Sequence, residues 1–417
     1  MTPIATAAVA NRRQGLTSST DQLHLAPLQR GQAADAEARL VFALAGDAES
    51  GAIAALLAEC DWGRLLPVAS QENAAIVLRD AVREARPGVV PLAAQRQLAY
   101  MALQSEFRMR KLARLLETAV DTLGRVGIEA TVLKGAALAP TLYGSFTARP
   151  MNDIDLLIDP DRAQEARALM LAVGWRRDPS LPGDEAYAGH HHLPPMLDGS
   201  GSGLRLELHT ALLPRESPFP IANAELRRRA TELPLGAFRV RVLGLVDHAV
   251  YAAIHFAWSH QLRLGAWHAM RDLGRLARRG LLDWPGFTDR AEEWRATSCA
   301  YWTLRLGRAL AGLPVPGEVL RRLEPRLPEA ILRRLERHFT QSILSRDEGC
   351  PSVRLERELW AIAMQPRRSG HGERRPWLAS PALMLERQRL NPQRARSGTL
   401  EHLGHVVRWS RYLANML

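Results

Sequence analysis

Asp153 and Asp155 stand two residues apart in the run Asp153-Ile-Asp-Leu-Leu-Ile158. Side chains alternate in direction along a strand, so both carboxylates leave one face while Ile154 and Leu156 enter the core. Glu207 holds the same kind of position in Leu204-Arg-Leu-Glu-Leu-His209. The strict alternation there predicts a second strand, with Arg205 and His209 beside Glu207 and leucines on the opposite face. If the two strands are neighbours, the third carboxylate completes a clamp for hard cations. The expected cofactor is Mg2+ or Mn2+, because such ions take a few carboxylates together with phosphate oxygens and water. Two of them about 3.5–4 Å apart can activate an attacking hydroxyl and stabilise a leaving pyrophosphate.

A site of this kind must also cradle phosphate. Lys134-Gly135 falls at the junction of a β-prone run, Ile128 to Leu133, with a helical stretch from Ala136 to Tyr143. Backbone N–H groups at such a corner favour an anion, and glycine permits close approach. Only Lys111 and Lys134 are lysines; every other basic side chain except histidine is arginine. Lys134 is expected to supply a point charge to a triphosphate. Lys111, on an amphipathic helix, is given no role. Arg149, four residues before Asp153, is a second candidate phosphate clamp, and His209 a candidate for orienting a carboxylate or a phosphate. His190, His191 and His192 either line the site, bind a transition metal, or form a solvated cluster. His255 reads as a core histidine. Asp272 reads first as a structural partner of nearby arginines.

Each feature alone is weak. An Asp-x-Asp on a strand is more often a solvated edge than a metal site, and Gly135 and Glu207 each have an ordinary turn or strand reading. Their order along the chain is what raises their joint meaning.

The elements that must position these residues are legible in outline. Residues 1–35 show no sustained periodicity and are expected to be a disordered leader. Residues 36–126 read as a helical N-terminal domain, most clearly where Leu112, Leu115, Leu116, Ala119 and Leu123 recur at helical spacing. Residues 127–215 form the candidate core, in which Asp159 caps a helix entered by Pro160 and stopped by Gly174. Beyond Pro214 the chain is read as returning to helices, giving a helical C-terminal domain over residues 216–345. Residues 346–417 read as a basic arm with a last short helix near Leu403 to Leu413. The fold class expected is α+β: a small mixed sheet flanked by helical N- and C-terminal domains.

Charge is unevenly spread. The formal net charge is +11, but from Pro351 onward there are twelve arginines against five glutamates, whereas Gly127 to Leu213 holds seven basic and eleven acidic residues. An acidic core suits a metal site, and the basic arm suits an acidic or nucleic-acid partner, or simply a solvated surface. Cys60, Cys299 and Cys350 are too few and too scattered for a disulfide framework or a zinc knuckle. No apolar stretch is long enough to span a bilayer. A soluble, cytoplasmic protein is expected.

The stretches Leu133-Lys-Gly-Ala-Ala-Leu138, Leu142-Tyr143, Arg149-Pro-Met-Asn-Asp-Ile-Asp-Leu-Leu-Ile158 and Leu206-Glu-Leu-His209 together resemble a nucleotidyltransferase family of the polymerase-β superfold. His248, His255 and Trp267 with Asp272-Leu273 resemble that family's helical C-terminal half. The resemblance covers roughly residues 100 to 290. It implies that Asp153 and Asp155 are metal ligands, that Glu207 is the third carboxylate or the base for an acceptor hydroxyl, and that Gly135 is the phosphate-loop glycine. One departure is Ala136, where polymerase-β-like enzymes usually carry serine after the glycine; Lys134 is the available substitute. The implied activity is transfer of a nucleoside monophosphate from a nucleoside triphosphate to an acceptor (small molecule, peptide or RNA) with release of pyrophosphate. Two alternatives stay open: a toxin-like nucleotidyltransferase acting on tRNA, and a catalytically inactive accessory protein of a biosynthetic operon.

Overall fold

A computed structural model describes residues 36–343, apart from 86–87, 182, 188, 236–237 and 264, together with residues 353–364. The leader expected over residues 1–35, the arm from Gln365 to Arg396 and the helix near Leu403 to Leu413 lie outside the described residues.

Four short helices open the described chain: α1 Ala36–Ala45, α2 Ser50–Glu59, α3 Trp62–Gln71 and α4 Ala75–Glu84. The long α5, Leu92–Gly124, follows. It serves two cores. Ala94 and Leu98 join the main helical core, whereas Met109, Leu112, Leu116, Ala119 and Leu123 pack on the back of the sheet. This is the three-and-four spacing of the leucines turned into packing.

The sheet has seven strands in the order β3-β4-β5-β2-β1-β7-β6. They are β1 Thr131–Val132, β2 Asp153–Leu157, β3 Trp175–Arg177, β4 Met196–Asp198, β5 Arg205–His209, β6 Thr231–Leu235 and β7 Phe238–Val242. β2 pairs in parallel with β5 and antiparallel with β1, and β1 pairs in parallel with β7. The sheet is therefore mixed, as expected. Between β1 and β2 the chain forms the five-residue α6, Lys134–Leu138, and a π-helical turn, Ala139–Tyr143, closed by Gly144 at φ 73°. Asp159 accepts a hydrogen bond from the Asp161 amide, a 3-10 turn carries Pro160, and α7 runs over Ala163–Ala172 before Gly174 at φ 104°.

The chain does not return to helices directly beyond Pro214. After α8, Asn223–Arg229, the β6–β7 hairpin joins the sheet through β1. Phe238-Arg-Val-Arg-Val242 alternates strictly, and Val240 and Val242 are buried behind the sheet; this period-two signal is short beside the long helical patterns that follow.

The remaining helices are α9 Leu245–Ile254, α10 Ala266–Arg278, α11 Trp284–Glu293, α12 Thr297–Ala311, α13 Gly317–Leu323, α14 Glu329–Ser342 and α15 Val353–Ala363. Leu40, Phe42 and Leu44 of α1 share one core with Trp267, Met270, Trp302 and Leu306 of α10 and α12, so the N- and C-terminal helical segments are packed together. Helix α15 falls in the stretch read as a basic arm. It docks on this core: Trp302 Nε1 donates to Ala363 O at 3.0 Å and Trp360 Nε1 to Ala257 O at 2.6 Å. Among the described residues no helix is long and apolar enough to cross a membrane.

Candidate active site

Asp155 and Glu207 are partners on one rung of the parallel β2–β5 ladder, with Asp153 opposite Arg205 and Leu157 opposite His209. Because directly opposed residues project from the same side of a sheet, Asp153, Asp155, Glu207 and His209 share one face. Ile154, Leu156, Leu206 and Leu208 line the other and are fully buried in the core. The three predicted carboxylates are thus brought to one face, with Asp153 about 6.6 Å of strand away from Asp155.

Asp155 is the hub. Its Oδ1 accepts from Lys134 Nζ at 2.8 Å and lies 2.9 Å from His209 Nε2. His209 Nε2 also lies 3.4 Å from Glu207 Oε2. Burial pushes the Asp155 carboxyl up, but Lys134 and the His209 hydrogen bond outweigh it and hold it well below the usual range. Asp153 behaves oppositely: burial first, then the Asp155 charge, push it up to about 6. Burial pulls the Lys134 ammonium down, while Asp155 with Tyr251, Asp153 and Glu207 holds it well above its ordinary value. Two neighbouring carboxylates driven apart in this way share one buried site, in which Lys134 and His209 favour the charge on Asp155 over that on Asp153.

Lys134 itself adopts φ 48°. The left-handed region costs a non-glycine residue about 1–3 kcal/mol, and here it accompanies the Lys134–Asp155 pair. At the neighbouring Gly135 the absence of a side chain makes room for Arg149. A Cβ on Gly135 would lie 2.1 Å from Arg149 Nη1 and 2.9 Å from its Cζ, so the close approach that glycine allows is made by Arg149. Arg149 is buried and gives its other nitrogens to Asp272: Nε lies 3.0 and 3.1 Å from the two carboxylate oxygens and Nη2 2.7 Å from Oδ2. In this structure the guanidinium is engaged in a buried structural pair. Tyr143 donates to the same carboxylate at 2.6 Å. Ala136 is packed in the apolar core behind the sheet, which accounts for the absence of a hydroxyl there.

Two groups not singled out as site residues come from the helical side. Tyr251, on α9, is buried, and its hydroxyl is pushed up to about 12 by burial, with Lys134 opposing and Asp155, Glu207 and Asp153 adding to the rise. His255, in the π-helical turn that extends α9, is held neutral by burial and by Lys134 and His260. Both lie among the buried apolar Val250, Ile254 and Ala257, whose helical spacing is the stronger signal in that stretch of sequence. Lys111, given no role from sequence, reaches Asp198 Oδ2 at 2.6 Å and ties α5 to the end of β4.

The residues able to hold a cation are evident from their donor atoms. Asp155, Glu207 and His209 each offer one ligand atom, all within 4.8 Å of one another. His209 thus stands in this tight set where Asp153 was expected, and Asp153 extends the same acidic face. Oxygen donors with one imidazole, around a buried carboxylate now neutralised by an ammonium, fit a divalent cation. The His190–His192 segment forms a wall beside it: the His191 and His192 rings lie 5.4 and 5.3 Å from His209. Burial holds His191 down at about 3 and also lowers His192.

A mixed sheet flanked by helices, with carboxylates clustered on adjacent strands, is consistent with a nucleotidyltransferase core. A family model described as an uncharacterised nucleotidyltransferase matches residues 58–312, more than half of the chain, and the chain belongs to that family. No curated protein and no solved structure matches it.

Proposed function

We propose that the chain transfers a nucleoside monophosphate from a nucleoside triphosphate to an acceptor hydroxyl and releases pyrophosphate. The observation that carries this reading is the shared rung of Asp155 and Glu207, with Asp153 one step along the same face, in a member of a nucleotidyltransferase family. Asp153, Asp155 and Glu207, joined by His209, are the residues that would hold Mg2+ or Mn2+. Bound there, a divalent cation would neutralise phosphate oxygens and acidify the acceptor hydroxyl.

The chain's own groups do the rest. The acceptor oxygen forms a bond to the α-phosphorus, the bond from that phosphorus to the bridging oxygen of pyrophosphate breaks, and the hydroxyl proton passes to a carboxylate. Glu207, whose side chain is 20% exposed, is the carboxylate open to that proton. Lys134 supplies the ammonium nearest the acidic face and is the point charge for the triphosphate. Gly135 serves the same corner by admitting Arg149. Arg149 acts by holding the loop before β2 in place.

The test is incubation of the purified chain with labelled triphosphate, Mg2+ and cell extract, followed by mass spectrometry of the labelled acceptor. Asp153→Ala and Asp155→Ala should each abolish Mg2+-dependent transfer with the circular dichroism spectrum intact, and Glu207→Gln should slow it about 10²–10⁴-fold. Full activity in both aspartate variants would remove the reading. Calorimetry with Mg2+ and each triphosphate separates an inactive accessory protein, which would show no metal-dependent binding. Salt-sensitive tRNA binding lost on deleting residues 365–417, beyond the docked α15, would support RNA as the acceptor.

A further inference from the structure

The three consecutive histidines are held by backbone rather than left on a free loop. His192 bridges to His209 in antiparallel register, Leu193 N donates to Leu208 O at 2.9 Å, and Thr210 N and Ala211 N donate to His191 O at 2.8 and 3.1 Å. The segment is thereby fastened along the end of β5. Its rings gather: His191 and His192 centroids are 4.7 Å apart, His190 and His192 5.2 Å, and His190 and His191 5.7 Å. One ring nitrogen from each lies within 4.8 Å of the other two.

Two details of the rings point to a ligand. His192 Nδ1 lies 2.8 Å from Leu193 O. With Nδ1 as the donor, that contact sets the tautomer and leaves Nε2 with a free lone pair, the arrangement found behind metal-ligating histidines. His191 Nδ1 is buried and has no hydrogen-bond partner, and the same is true of Nδ1 on the fully buried His209 against which His191 and His192 pack. A buried ring nitrogen without a protein partner is met by an ion or a water, and here it stands beside two further imidazoles.

We propose that His190, His191 and His192 form a binding site for a borderline transition-metal ion of the zinc class, separate from the carboxylate site. Imidazole nitrogens suit Zn2+, Cu2+ or Ni2+, whereas Mg2+ is bound through oxygen. Three imidazoles leave a fourth position of a tetrahedral ion open. Bound there, the ion would brace the end of β5, to which the His191–Leu193 backbone is fastened and which carries Glu207. The proposal is independent of nucleotide transfer, since it concerns metal binding alone.

The experiment uses the full chain, free of any purification tag, stripped with chelator and titrated with Zn2+ in a large excess of Mg2+. The expected result is a single Zn2+ site, reported also by the visible absorption of tetrahedral Co2+. His190 is exposed, so His190→Ala keeps the fold, and it should weaken Zn2+ at least about tenfold; His192→Ala should do the same. Zn2+ binding unchanged in both variants, or absent from the parent chain, would overturn the proposal. So would loss of the Zn2+ site in Asp155→Asn with retention in His190→Ala, which would put the ion among the carboxylates.

Discussion

Arg149, in the loop before β2, closes a buried bidentate pair with Asp272 on α10, 123 residues along the chain. Around the pair, Tyr143 donates to Asp272, and the Arg271 guanidinium lies 4.9 Å from the Tyr143 ring while its Nη1 donates to Ala148 O at 2.9 Å. The joint between the sheet and the helical segment is thus ionic and buried, with Arg149 6% and Asp272 4% exposed.

Removing one member of such a pair strands a buried charge, which costs about 3–5 kcal/mol. Asp272→Ala should therefore lower the urea midpoint strongly, and the double variant Arg149→Met with Asp272→Leu should recover most of the loss. A change under about 1 kcal/mol in Asp272→Ala would show that the pair holds nothing together.

Gly135→Ala places a methyl 2.1 Å from Arg149 Nη1. The guanidinium cannot retreat without breaking its bonds to Asp272, so a loss of about 1–3 kcal/mol is expected from overpacking. In an Arg149→Met background the same substitution should cost clearly less, and a double-mutant cycle measures the difference. Equal costs in the two backgrounds would place the requirement for glycine elsewhere.

Acid should weaken the helical segment before it titrates ordinary carboxylates. Burial holds His248 down at about 4 and His268 at about 3, with Arg149 adding to both. In the unfolded chain each would protonate near 6.5. Below that value the unfolded state binds protons that the folded state refuses, so stability falls as pH falls from 6.5 toward 4, by about 1.4 kcal/mol per pH unit for each histidine fully titrating. Urea midpoints at pH 7, 6 and 5 check this, and His268→Gln should reduce the slope by one histidine's share.

Lys111→Met should destabilise by about 1.5–3 kcal/mol, the range for a hydrogen bond to a charged group. Asp198 is 5% exposed and is also held by Ser202 Oγ at 2.8 Å and the Leu204 amide at 3.2 Å. Lys111→Arg should rescue only in part, because a compact ammonium fits a single-point contact that a planar fork does not. Thermal melts of the two variants side by side provide the check.

Much of the site was legible from residue order alone. Alternation in Asp153-Ile-Asp-Leu-Leu and Arg205-Leu-Glu-Leu-His determined that the polar side chains share a face and the apolar ones a core, because strand geometry has period two regardless of partners. The Asp159 cap, the Gly174 stop and the long stripe of α5 were equally local. Which strand lies beside which was not. The β2–β5 register that sets Glu207 against Asp155, the β7–β1 pairing, the reach of Lys111 to Asp198 and of Arg149 to Asp272 all join residues from 52 to 123 positions apart. Partners at that distance are selected by how helices and strands close around two shared cores, a property of the whole packed chain that no short window contains. For the same reason the space that Gly135 leaves for Arg149 shows only in the folded chain.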